Sequence, residues 1–249
     1  MQAIVHDLLT SYDKSGKGPV ILMLHGWGDS KATFKDLSQA LGKDFTVIAP
    51  DLPGFGQSQA PPAVWNLDNY ATFVRDFLDK LELKPRAIVA HSNGGAVAIR
   101  GLAQDAFQAD KLVLLASAGI RDRQKLRRLG LKVIAKTGKA ATFWLPATHK
   151  KKLQKKLYGA AGSDLLVVPH LQETFKVTVR QDVQEDARTL KLPTLLIYGS
   201  DDKATPPLYG EAYQQLISGS QLLVLEGAGH FVHHDQLQKV ATLIQGFLK

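Results

Sequence analysis

Six short apolar runs, most of them rich in β-branched or leucine residues, recur along the 249-residue chain: Val20–Leu24, Phe45–Ile48, Ala87–Ala90, Leu112–Leu115, Leu195–Tyr198 and Leu222–Leu225. Apart from Thr46, each run is apolar at every position rather than at alternate ones, so each must be covered on both faces. Helical patterns lie between them. From Asp68 to Leu83, the residues Tyr70, Phe73, Val74, Phe77, Leu78 and Leu81 repeat at the i, i+3, i+4, i+7 spacing of one buried stripe. Strands that alternate with helices and are buried on both sides form a mostly parallel, doubly wound α/β sheet. Such a sheet places its chemistry in loops at the carboxyl ends of its strands.

Those ends carry short polar or glycine-rich strings. Val20–Leu24 runs into His25-Gly26-Trp27-Gly28, and Phe45–Ile48 leads to Asp51-Leu52-Pro53-Gly54-Phe55-Gly56. Ala87–Ala90 runs into His91-Ser92-Asn93-Gly94-Gly95, which opens a helical stretch. Leu195–Tyr198 is followed by Gly199-Ser200-Asp201-Asp202, with Pro206 four residues beyond the second aspartate. After Leu222–Leu225 comes Gly227-Ala228-Gly229-His230. Gly54-Phe55-Gly56 fails the spacing of a dinucleotide fingerprint. His230, His233 and Asp235 have a metal-like spacing, but no further ligand cluster accompanies them, so no metal is expected.

This combination resembles the α/β-hydrolase superfamily from about Gly18 to the C-terminus. The Gly-x-Ser-x-Gly elbow of that family corresponds to Ala90-His91-Ser92-Asn93-Gly94, with alanine small enough to replace the first glycine. The resemblance implies about eight strands, with Ser92 as nucleophile, His230 as general base and Asp202 as the carboxylate that orients it. Asp201 competes for that last role; the register of Pro206 favours Asp202. The backbone N–H groups of Trp27 and Asn93 would form the oxyanion hole. His25 would brace that loop without taking part in the chemistry, His91 would be packed or hydrogen-bonded, and His233 and His234 would lie on a helix start. A serine at the elbow excludes the branches that use aspartate as nucleophile, the haloalkane dehalogenases and epoxide hydrolases.

Charge divides the chain further. The whole carries +8, yet residues 119–190 carry +10 and the remainder −2. The expected organisation is a core of residues 1–118 and 191–249 interrupted by a basic helical cap over 119–190, where the family carries one. Within it Leu126, Leu129, Val133 and Ile134 line one helical face, and Leu153 and Leu157 another, opposite solvated lysines and arginines. Contact of these basic faces with an anionic membrane or lipid-like substrate is the alternative. No recognised binding motif points to nucleic acid. Phe143, Trp144 and Leu145 are candidates to line an acyl pocket.

The expected activity is hydrolysis of a small carboxylic ester through an acyl-enzyme, with no cofactor. Hydrolysis of carbon–carbon, amide or peptide bonds, or a ligand receptor built on the same fold, are the alternatives. The chain has no cysteine, which excludes disulfides and thiolate chemistry and fits a reducing compartment. Its N-terminus lacks the charge and apolar run of a signal peptide, and no apolar run is long enough to span a membrane; the expected location is cytoplasmic.

Overall fold

The computed structural model describes residues 1–121 and 168–249. Eight strands form one sheet: β1 (Gln2–Val5), β2 (Leu8–Ser15), β3 (Val20–Leu24), β4 (Thr46–Pro50), β5 (Ala87–His91), β6 (Lys111–Leu115), β7 (Thr194–Gly199) and β8 (Gln221–Leu225). Their order is β1-β2-β4-β3-β5-β6-β7-β8, parallel from β4 to β8 and antiparallel where β2 meets β1 and β4. The six apolar runs are the six parallel strands, with ends moved by one or two residues.

Burial on both faces holds for the central strands but not for β8 at the edge of the sheet, where Val224 is 44% exposed. On β3, β5 and β6, Leu22, Leu24, Ile88, Ala90, Leu112 and Leu114 enter one core, while Ile21, Met23, Ala87, Val89, Val113 and Leu115 enter the other. The first core is closed by α2 (Leu67–Lys80) and α3 (Asn93–Ala103). The second is closed by α1 (Lys35–Leu41) and the C-terminal helix α8 (Leu237–Leu248). The stripe read from the sequence is the buried face of α2: Tyr70, Phe73, Val74 and Phe77 are fully enclosed. Asn66 starts this helix with a reciprocal cap, its side chain accepting from the Asn69 N–H while Asn69 accepts from its own.

The β1–β2 hairpin is not among the runs singled out in the sequence. Its residues are half exposed, and its two-residue turn is His6-Asp7, both at positive φ (53° and 59°). That geometry normally calls for glycine or asparagine, so the turn carries no compositional signal.

Of residues 119–190, the described part beyond Val168 is helical: a 3₁₀ turn at Pro169–Leu171, then α4 (Gln172–Thr178) and α5 (Gln184–Thr189). Val183, Ala187 and Leu190 join the first core, and Arg100 of α3 pairs with Asp186 of α5 at 2.9 Å. These last residues of the basic segment are therefore packed as part of the α/β body. Phe143, Trp144, Leu145 and the lysine-rich stretch at 150–156 lie outside the described residues. Among the described residues no helix is long and apolar enough to cross a membrane. The remaining helices, α6 (Pro207–Leu216) and α7 (Val232–Asp235), follow β7 and β8 respectively.

Candidate active site

Ser92 stands between the end of β5 and the first turn of α3, at φ 50° and ψ −119°. A non-glycine residue in that region costs about 1–3 kcal/mol and persists only when its surroundings impose it. They do so at both ends: the Ser92 N–H donates to Leu115 O (3.0 Å), and the Ser92 carbonyl accepts from Gly95 N–H (3.0 Å) and Ala118 N–H (2.9 Å). The turn also needs its glycine. A Cβ on Gly94 would sit 2.3 Å from the Leu24 carbonyl and 2.6 Å from that of His25, so only glycine lets α3 approach β3 this closely. Ala90, in place of the other glycine, is fully buried in the sheet without conflict.

The side chain of Ser92 meets the loop that follows β8. Its Oγ donates to His230 Nε2 at 3.1 Å, and His230 Nδ1–H donates to Asp202 Oδ2 at 2.8 Å. The three groups come from the ends of three parallel strands, as the topology requires. Asp202 has its side chain fully removed from solvent. Burial works to raise its pKa, but the hydrogen bonds and charge of His230 and the hydrogen bonds of Thr205 outweigh burial and hold the carboxyl below its ordinary value. Asp201 points elsewhere: it is exposed, and its Oδ1 accepts only from the Ser200 hydroxyl. The side chain that reaches His230 is thus Asp202.

The backbone N–H groups of Asn93 and Trp27 take no acceptor among the described residues. Asn93 opens α3, where the unpaired N–H groups favour negative charge. Trp27 follows Gly26, whose Cβ position would lie 3.0 Å from Ser92 Cβ; glycine there brings the loop against Ser92. Trp27 is pinned by edge-to-face packing on Phe55 and by Phe175 of α4, with ring centroids 4.9 and 5.1 Å away. Ser92, His230, Trp27, Asn93 and Phe175 border a cavity of about 210 Å³. Larger depressions occur elsewhere. One of about 750 Å³ lies beside Lys84, Pro85, Asp110 and Lys191, at the amino ends of β5, β6 and β7 and therefore on the wrong side of the sheet for catalysis.

Three further histidines, His25, His91 and His233, are structural. His25 is buried, donates from Nδ1 to Gly26 O (2.8 Å) and accepts at Nε2 from Leu52 N–H (2.9 Å), so it ties the loop after β3 to the loop after β4. His91 donates from Nε2 to the carbonyl of His230 (3.0 Å), linking the elbow to the loop of the base. His233, on α7, lies 3.1 Å from the Thr33 hydroxyl. Burial lowers the pKa of all three, that of His233 to about 3, with neighbouring histidines adding to the effect at His91 and His233. Their ordinary value is 6.5, so below that pH the unfolded chain binds protons that the native state refuses. Stability is therefore complete above about pH 6.5 and declines as pH falls toward the folded-state values, by up to about 1.4 kcal/mol per pH unit for each histidine. Urea midpoints at pH 7.5 and pH 5 test this. A midpoint that does not fall at pH 5 would show that these rings are not held neutral.

Two contributors escaped the sequence reading. Thr205, between Asp202 and Pro206, places its hydroxyl 2.7 Å from Asp202 Oδ2 and 3.1 Å from His230 Nδ1. The exit of β6 is the other: Tyr198 and Tyr213 donate to the Ser117 and Ala118 carbonyls at 3.0 and 2.6 Å, fixing the segment that grips Ser92. The one signal for Thr205 was an aspartate three residues before a threonine at a helix start, the spacing of an Asx-type turn. Among the described residues no group of histidines and carboxylates is arranged to hold a metal ion.

The sequence profile of the alpha/beta hydrolase family matches residues 21–243. An uncharacterized protein of Mycobacterium tuberculosis is 30% identical over 98% of this chain and 79% of its own length. The pimeloyl-[acyl-carrier protein] methyl ester esterase of Neisseria meningitidis is 28% identical over 92% of this chain and 76% of its own. Among solved structures, a meta-cleavage product hydrolase from Pseudomonas fluorescens superposes with a TM-score of 0.75 at 25% identity, covering 99% of this chain and 96% of that one.

Proposed function

The chain belongs to the alpha/beta hydrolase family, and on that premise we propose that it is a serine hydrolase acting on carboxylic esters. The observation that carries this reading is the continuous hydrogen-bonded relay Ser92 Oγ–His230–Asp202, opening on a cavity beside two unpaired backbone N–H groups. In the proposed cycle His230 Nε2 takes the Ser92 proton as Oγ attacks the ester carbonyl. The oxygen that becomes anionic is received by the N–H groups of Trp27 and Asn93, each worth about 2.7–4 kcal/mol of transition-state stabilisation. Collapse of the tetrahedral adduct releases the alcohol, which leaves with the proton from His230. Water, deprotonated by the same imidazole, then splits the acyl-enzyme and restores Ser92. Asp202 keeps the imidazole in the Nδ1–H tautomer throughout.

Esters are favoured as substrates by the similarity to the methyl ester esterase. A second reading, hydrolysis of a carbon–carbon bond, draws on the similarity to the meta-cleavage product hydrolase. The two share the nucleophile and separate in the substrate. We expect a fluorophosphonate probe to label Ser92, and p-nitrophenyl esters of graded chain length to turn over with a clear optimum. Labelling without turnover of any ester, but with turnover of a vinylogous diketone, would transfer the assignment to carbon–carbon hydrolysis. Absence of labelling would remove the serine mechanism altogether.

A further inference from the structure

Asp202 is a buried carboxylate with four donors. Oδ1 accepts from the N–H groups of Ala204 (2.8 Å) and Thr205 (3.0 Å), and Oδ2 from the Thr205 hydroxyl (2.7 Å) and His230 Nδ1–H (2.8 Å). The Thr205 hydroxyl is itself buried and also lies 2.9 Å from the carbonyl of Ala116. A hydroxyl has one proton to give, and an ionised carboxylate and a carbonyl can only accept. Asp202 and Ala116 therefore compete for that proton. The hydroxyl oxygen stays free to receive His230 Nδ1–H, 3.1 Å away, as the lesser branch of a three-centred bond.

Ala116 is not an arbitrary partner. It sits at φ 45° at the exit of β6, and its neighbours Leu115 and Ala118 make the backbone hydrogen bonds that hold Ser92 in its own unusual conformation. The same few residues thus grip the nucleophile on one side and Thr205 on the other.

We propose that Thr205 is a positioning residue for the reaction: its hydroxyl shares one proton between Asp202 and Ala116, holding Oδ2 toward His230 and fastening the loop of the acid to the exit of β6 that grips Ser92. This rests on the serine-hydrolase reading above. As His230 takes the Ser92 proton and becomes a cation, the hydroxyl keeps Oδ2 aligned on Nδ1–H, so the bond that strengthens in the transition state is already in place. No proton is gained or lost at Thr205. Among the described residues, the other ionisable groups around the pair are His91 and His233, held neutral by burial, the buried Tyr198 phenol, and Arg121 and Tyr209, which line the same cavity, with Asp201 and Lys203 exposed on the loop itself.

The test compares Thr205→Val, which keeps the shape without the hydroxyl, with Thr205→Ser, which keeps the hydroxyl. Thr205→Val is expected to lower kcat about tenfold with KM within about twofold, the loss of one charge-assisted hydrogen bond. It should also move the acid limb of the kcat/KM profile to higher pH by about half a unit, because a carboxylate with one donor fewer draws a proton onto the imidazole more strongly. Thr205→Ser should restore both. A kcat within twofold of the parent, or a loss with an unmoved acid limb, would overturn the proposal and leave Thr205 as packing. Thr205→Ala supplies the same comparison if the valine variant does not fold. Fluorophosphonate labelling separates the two levels: an unlabelled parent enzyme defeats the serine mechanism, whereas a labelled parent with indifferent Thr205 variants defeats this proposal alone.

Discussion

Replacing Ser92 by alanine should lower the turnover of p-nitrophenyl acetate by on the order of 10⁴-fold or more, to the level left by binding and the oxyanion donors. The expectation follows from geometry that no other serine shares among the described residues. There, Ser92 alone has its hydroxyl 3.1 Å from an imidazole nitrogen whose opposite nitrogen is held by a buried carboxylate. The substitution removes one oxygen and leaves the backbone bonds to Leu115, Gly95 and Ala118 in place, so folding should be retained. Unchanged turnover in a folded variant would show that the hydrolysis observed has another origin.

A loss of similar size, about 10⁴-fold in kcat, is expected for Asp202→Asn, because an amide neither stabilises an imidazolium nor enforces the Nδ1–H tautomer. Asp201→Asn, one residue away, should stay within about twofold, since its exposed carboxylate contacts only Ser200. The pair forms an internal control: same loop, same chemical change, opposite outcome. Equal effects would mean that the loop as a whole, and not the bond to His230, is what matters. The reverse ranking would exchange the roles of the two aspartates.

The parallel part of the sheet was legible because burial on both faces leaves its central strands with almost no polar position, and even the half-exposed edge strand β8 keeps an apolar run, Leu222–Leu225. The β1–β2 hairpin was not, because its half-exposed residues and its His6-Asp7 turn look like ordinary surface. Ser92, Asp202 and His230 could be singled out because each occupies a short string at a strand end, and the structure brings their side chains into hydrogen-bonding distance. Thr205 was illegible for the opposite reason. Its contact with Ala116, 89 residues earlier in the chain, exists only once β6 and β7 lie side by side. For His91 a hydrogen bond was among the expectations, but its partner, the His230 carbonyl 139 residues away, was not.

The pairing of β6 with β7 therefore has a meaning beyond sheet continuity. In the serine-hydrolase reading, the stretch before residue 122 supplies the nucleophile and the stretch from residue 168 onward supplies the base and the acid. Within the sheet the two stretches meet where Leu112 to Leu115 run beside Thr194 to Ile197. The proposed chemistry is in that sense a property of a joint, not of either piece.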